Sequence, residues 1–183
     1  MESIKQKAIK GIQWSLIDNI ANSGFTFLVG IVLARILSPE EFGILGLITV
    51  FIAVSNSIVD GGFATALIRK PDASDNDYNT VFYCNLAIAI LLTIGLILSS
   101  NAIALFFKEP ILKAVTPTMS LLLIVNAFTI IQRTIYVKKI DFKTQAKISL
   151  IASIGSGIIG ISLALLKFGV WSLVAQQLSR QIL

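Results

Sequence analysis

Residues 81–107 read VFYCNLAIAILLTIGLILSSNAIALFF, without one lysine, arginine, aspartate or glutamate. As a helix rising about 1.5 Å per residue, the stretch from Asn79 to Phe107 reaches roughly 43 Å, beyond a bilayer hydrocarbon core of about 30 Å. Comparable apolar runs lie on either side of it, at Gly11–Leu37, Phe42–Ile68, Leu112–Tyr136 and Gln145–Leu166, and a further one begins at Val170. The whole chain agrees with them. Of its 183 residues 55% are hydrophobic and 14% charged, and the mean hydropathy is +0.85, whereas soluble domains carry about a quarter charged residues. The sequence therefore predicts an all-α fold, a polytopic membrane helical bundle of about six transmembrane helices, with lipid as its solvent.

The breaks between runs have the chemistry of helix ends. SPEE at 38–41 offers Ser38 as N-cap, Pro39 at the first helical position and Glu41 to complete a capping box, so the first two helices should form an antiparallel hairpin. RKPDASDND at 69–77 interrupts the pattern with Pro71 and several N-cap formers before the third helix. Gly61 and Gly62 mark a place where the second helix ends or bends. No loop is long enough to be a domain. The last stretch, 170–183, reaches only about 21 Å as a helix, so the chain is expected to stop inside its sixth span and to form the N-terminal lobe of a longer protein.

A net charge of +5 and a pI near 9.5 would suit nucleic-acid binding if the basic residues shared a soluble surface. They sit between apolar segments instead, so no nucleic-acid partner is expected. With six spans, eleven of the fifteen Lys and Arg residues fall on one side, among them Lys5, Lys7, Lys10, Arg69, Arg133 and Arg180, and four on the other: Arg35, Lys108, Lys113 and Lys167. The positive-inside rule then puts the N-terminus in the cytoplasm. KKIDFKTQAK at 138–147 reads as an interfacial segment that serves topology, near anionic headgroups. The single cysteine, Cys84, is read as a small buried side chain.

Polar residues inside the spans are sorted to one side. On a wheel at 100° per residue Asp18 shares an arc of about 140° with Ser15, Asn19, Asn22, Ser23, Thr26 and Gly30. On the second helix Asp60 lies with Gly46, Thr49, Ala53, Asn56, Ser57 and Ala64, and Ser55 is the outlier. An acidic side chain at mid-bilayer costs about 2.5–3.5 kcal/mol, so Asp18 and Asp60 should face a bundle interior or a hydrated cavity. Interhelical hydrogen bonding, worth about 0.6 kcal/mol a bond, is the alternative for these acids and for the asparagines. Asp60, beside two glycines, could also be a cap at the interface. In the fourth helix Asn126, Thr129 and Arg133 share a face, where Arg133 either meets a phosphate or snorkels to the surface. In the fifth, Ala152, Ser156, Gly160 and Ala164 form one row and Ser149, Ser153 and Gly157 another, the spacing of close helix packing.

The chain has no histidine, no paired-cysteine metal site, no phosphate loop and no nucleophile elbow, so it is expected to be no enzyme and to carry neither metal nor cofactor. A glycosyltransferase built on aspartates alone would be the remaining enzyme class, and no motif supports it.

LARILSPEEFGILGL at 33–47, preceded by KGIQWSLID, resembles the N-terminal region of bacterial polysaccharide export flippases, the Wzx-type translocases of O-antigen and capsule units. GGFATALIRK at 61–70, YVKKIDFKTQAKIS at 136–149 and FGVWSLVAQQL at 168–178 resemble later segments of that family in the same order. The resemblance implies a two-lobed transporter of twelve to fourteen spans with a central cavity open alternately to either side, of which residues 1–183 would be the first lobe. It implies an undecaprenyl-pyrophosphate-linked oligosaccharide as cargo, membrane lipids as surroundings, a location in the bacterial inner membrane, and a sodium ion or proton as coupling cation. Polysaccharide polymerase and glycosyltransferases are the expected partners. The wheel supplies the candidate substrate-binding residues: Asp18, Asn19, Asn22, Asn56, Asp60 and Arg133. A multidrug extruder on the same scaffold and a non-transporting assembly subunit are the alternatives.

Overall fold

The structure, a computed structural model, describes residues 4–138 and 142–183. Among them are seven helices and no strand: α1 (Ile4–Ile36), α2 (Pro39–Asp60), α3 (Phe63–Arg69), α4 (Asp75–Phe107), α5 (Leu112–Lys138), α6 (Phe142–Leu165) and α7 (Val170–Ile182). Five segments are long and apolar enough to cross a membrane: Gln13–Ile36, Pro39–Arg69, Asp75–Phe107, Leu112–Lys138 and Thr144–Leu165. The protein is thus a multi-pass membrane helical bundle. The second expected span is two helices, because Gly61 and Gly62 both take positive φ, 46° and 80°, a conformation that ends an α-helix and favours glycine. Two starts fall earlier than the apolar runs suggest. α1 is already helical at Ile4, the first described residue, since the lysine-rich segment ahead of the run is made of good helix formers. α4 begins at Asp75 because Ser74 and Asp77 complete a second capping box.

The Ser38 cap forms as expected: its hydroxyl accepts from the Glu41 N–H, and the Glu41 carboxylate accepts from the Ser38 N–H at 2.7 Å. The turn nevertheless does not make a packed hairpin. α1 diverges from α2 and lies along α6, while α2 lies against α5, α4 and α7. The reason is side-chain size. α6 presents small residues at every fourth position, and each row meets a different neighbour. Along Ser149, Ser153 and Gly157 it meets α1: Asn22 donates to Ser149 and accepts from Ser153, and a Cβ at Gly157 would lie 2.9 Å from Phe25 and from Val29. Along the other row, a Cβ at Gly160 would lie 2.9 Å from Gln176 of α7. Lipid removes the hydrophobic drive between helices, and close approach of this kind, with interhelical hydrogen bonds, takes its place.

α4 and α5 form the tightest pair, joined across the interface by Thr93 Oγ1 donating to the Ser120 carbonyl at 3.1 Å. Their apolar core includes Ile48, Ile52 and Val59 of α2 with Met119 and Leu123 of α5. Ser55, the outlier of the α2 wheel, is buried on that same core face. The outer face of α4 carries Leu91, Leu98 and Phe106, all exposed, as suits contact with lipid. Cys84 is exposed there too, against the expectation of burial; the inward position next to it belongs to Asn85, which is fully buried. The KKIDF reading falls partly on residues 139–141, outside the described residues.

One end of the bundle is closed. There Val29, Leu33 and Leu37 of α1 pack with Ala164 and Leu173, flanked by Phe42 and Leu45. The turn before α7 abuts the turn before α2, so that a Cβ at Gly169 would stand 2.5 Å from Glu41 Oε1. From that end α1 and α2 spread apart and leave a space between them.

Candidate functional site

Between the α1–α6 pair and the α2–α5 pair lies a cavity of about 1290 Å³. α1, α2, α3, α5, α6 and α7 wall it and α4 does not. Its lining comes from the end opposite the closed turns: from α1 between Asp18 and Phe27, from α5 between Asn126 and Val137, and from α6 between Gln145 and Ala152. Counting about 1.5 Å per residue, Asn22 lies roughly 21 Å from the far end of α1, so the floor is near mid-membrane.

All six candidate residues line this cavity: Asp18, Asn19, Asn22, Asn56, Asp60 and Arg133. Their side chains are engaged to different degrees. Asn22 has its amide occupied: Nδ2 donates to Asp18 Oδ1 at 2.9 Å and to Ser149, and Oδ1 accepts from Ser153. It ties α1 to α6 and orients Asp18. Asn19 donates to its own helix, to the Ser15 carbonyl at 2.9 Å. Asn56 accepts from Asn126 Nδ2 at 2.9 Å. Asp60, at the end of α2 just before Gly61 and Gly62, has its Oδ1 buried without a hydrogen-bond partner. The wheel arc of α2 is only partly in the site: Asn56, Ser57, Asp60 and Ala64 line it, while Gly46, Thr49 and Ala53, nearer the closed end, are exposed beside it.

The fourth polar face also arrives where expected, with Asn126, Thr129 and Arg133 on the wall. Arg180, counted from sequence only toward topology, lines the cavity as well. Arg133, Arg180, Asp18 and Asp60 form no ion pair with one another, which leaves two cations and two acids facing a shared space. Gln181, Gln145 and Ser149 add to the polar lining and were missed. Gln145, Ser149 and Ala152 stand at i, i+4 and i+7, so a wheel of α6 would have found them. Gln181 belongs to the polar stripe of α7, a helix too short to show a mid-membrane polar face in sequence. Chemically, the arrangement offers amide and hydroxyl groups for a polyhydroxylated ligand and guanidinium groups for an anion.

Residues 32–183 match the model of a family described as polysaccharide biosynthesis protein, and the chain belongs to that family. It is 30% identical over 167 residues to the succinoglycan biosynthesis transport protein ExoT of Rhizobium meliloti, covering 91% of this chain and 34% of the relative. It is 28% identical over 140 residues to the lipopolysaccharide biosynthesis protein WzxC of Escherichia coli, covering 76% and 28%. It is 26% identical over 154 residues to the teichuronic acid biosynthesis protein TuaB of Bacillus subtilis, covering 84% and 32%. The chain thus spans about a third of the length of the curated relatives it matches. No solved structure matches it significantly.

Proposed function

We propose that this chain is the first lobe of a flippase that carries the hydrophilic head of a lipid-linked oligosaccharide across the bacterial inner membrane by alternating access. The observation that carries the reading is the polar cavity itself, about 1290 Å³ of space lined by amides, hydroxyls and four charged groups inside a bundle whose outer surface suits lipid. Its volume exceeds the roughly 300–1,000 Å³ of drug-sized pockets, as a saccharide head requires. Relatives named for succinoglycan transport and for lipopolysaccharide biosynthesis support the same reading.

In this mechanism the N-terminus is cytoplasmic, so the mouth of the cavity faces the compartment where lipid-linked saccharides are assembled. The prenyl chain stays in the bilayer while the head enters between α1 and α2. Arg133 meets the pyrophosphate. Asp18 and Asp60 take sugar hydroxyls or a coupling cation, and Asn19 and Asn56 add neutral hydrogen bonds. Asn22 acts through Asp18. A second lobe supplies the opposite wall, and rocking of the two lobes exposes the head to the other side. No bond is made or broken.

Deletion of the intact gene should cause undecaprenyl-linked oligosaccharide to accumulate and surface polysaccharide to disappear, and the wild-type gene should restore both. Asp18→Asn and Asp18→Ala proteins at normal membrane abundance should restore neither. Normal polysaccharide display by both variants would remove Asp18 from the mechanism, and a deletion strain without the lipid-linked intermediate would remove the flippase reading.

A further inference from the structure

At the cavity floor three amides from three helices form one hydrogen-bonded chain. Gln181 of α7 donates through Nε2 to Asn126 Oδ1 at 3.2 Å, and Asn126 of α5 donates through Nδ2 to Asn56 Oδ1 of α2 at 2.9 Å. The same Gln181 nitrogen also approaches Thr129 Oγ1 at 3.3 Å. The chain is open at both ends: no described residue accepts from Asn56 Nδ2 or donates to Gln181 Oε1. It carries no charge. Two charged groups of these faces lie toward the mouth: Asp60 is one turn along α2 from Asn56, and Arg133 is seven residues from Asn126, about 10 Å along α5; a third, Arg180, is the chain neighbour of Gln181 on α7.

We propose that the Asn56–Asn126–Gln181 chain is the saccharide-reading subsite of the cavity, separate from the charged groups that meet the anionic part of the cargo. The inference rests on the flippase reading and assigns the two halves of its cargo to different residues. A sugar ring is neutral and each hydroxyl both donates and accepts, which an amide matches with one donor and one acceptor group on the same side chain. A phosphate is acceptor-only and is held best by cationic donors. The two bonds from the Gln181 nitrogen are long for N–H···O contacts, so a ligand hydroxyl can replace either. Because the chain has a spare donor at one end and a spare acceptor at the other, a hydroxyl group joins it without leaving a buried polar atom unpaired. The spacing of about 10 Å to Arg133 lets one cargo molecule touch both.

The test compares two probes on the intact protein in lipid nanodiscs: undecaprenyl pyrophosphate, bare, and the same lipid carrying one N-acetylglucosamine. Two added hydrogen bonds to the ring should make the sugar-bearing lipid bind about tenfold more tightly. Gln181→Met, close to isosteric, should abolish that margin and leave the bare lipid unchanged. Asn56→Ser should do the same from the other end of the chain, which keeps the test decisive if the Gln181 variant is poorly folded. Arg133→Gln should weaken both lipids alike. Equal binding of the two lipids by the wild type, or equal weakening of both by the amide variants, overturns the subsite while leaving the flippase reading intact. Binding of neither lipid overturns both.

Discussion

Cutting the tie between α1 and α6 from its two ends separates structure from cargo contact at Asn22. The Asn22 amide joins α6 at Ser149 and Ser153 and holds Asp18 Oδ1 at 2.9 Å. Interhelical hydrogen bonds in membranes average about 0.6 kcal/mol and reach about 1.7. Asn22→Ala removes both interhelical bonds and should cost about 1.2 kcal/mol; Ser153→Ala removes one and should cost about 0.6 kcal/mol. The double variant should cost no more than Asn22→Ala alone, a coupling of about 0.6 kcal/mol. Unfolding of the intact protein in mixed micelles with rising SDS, followed by circular dichroism, measures all three. Ser153 is buried and absent from the cavity wall, so it reports the tie without meeting cargo itself. If Asn22 acts through the tie and Asp18, polysaccharide export should fall modestly in Ser153→Ala and further in Asn22→Ala, which also frees Asp18. The reasoning is refuted if Asn22→Ala unfolds like the wild type yet exports nothing while Ser153→Ala exports normally, because Asn22 would then touch cargo.

Two further outcomes follow from particular residues. Gly169→Ala should lower the melting midpoint of the detergent-solubilised protein, since Gly169 has φ +60° and a Cβ there would stand 2.5 Å from Glu41 Oε1; the cost is about 1–3 kcal/mol, and an unchanged midpoint would show that the two turns do not abut. Asn85→Leu should hold or raise the midpoint, because both amide atoms of Asn85 are buried without a partner and an unsatisfied buried polar group costs about 1–3 kcal/mol. A clear loss of stability in that variant would mean the amide is paired in the membrane.

Much of this was legible because a bilayer imposes simple rules. Length and apolarity located the five long apolar segments, and capping chemistry located the start of α2. The cost of a buried acid located Asp18 and Asp60 on a common space. Sequence alone could not choose the partner of α1. A two-residue turn makes α2 its neighbour in order, yet the small rows of α6 decide the packing, and that preference depends on how closely two surfaces approach in three dimensions. Arg180 was left out of the site for a related reason: near a helix end, an arginine that serves topology and one that lines a cavity look alike until the neighbouring helices are in place. Cys84 went wrong because an apolar run has a lipid side as well as a core side, and a small thiol suits either.

That last residue has a practical consequence. α4 takes no part in the cavity wall, and it carries on its outer face the sole cysteine of these residues. A maleimide-linked fluorophore or spin label placed there would need no engineered site within these residues and would leave every cavity side chain untouched. Such a label, read against quenchers held at known depths in the bilayer, would test whether α4 tilts when lipid-linked saccharide is added.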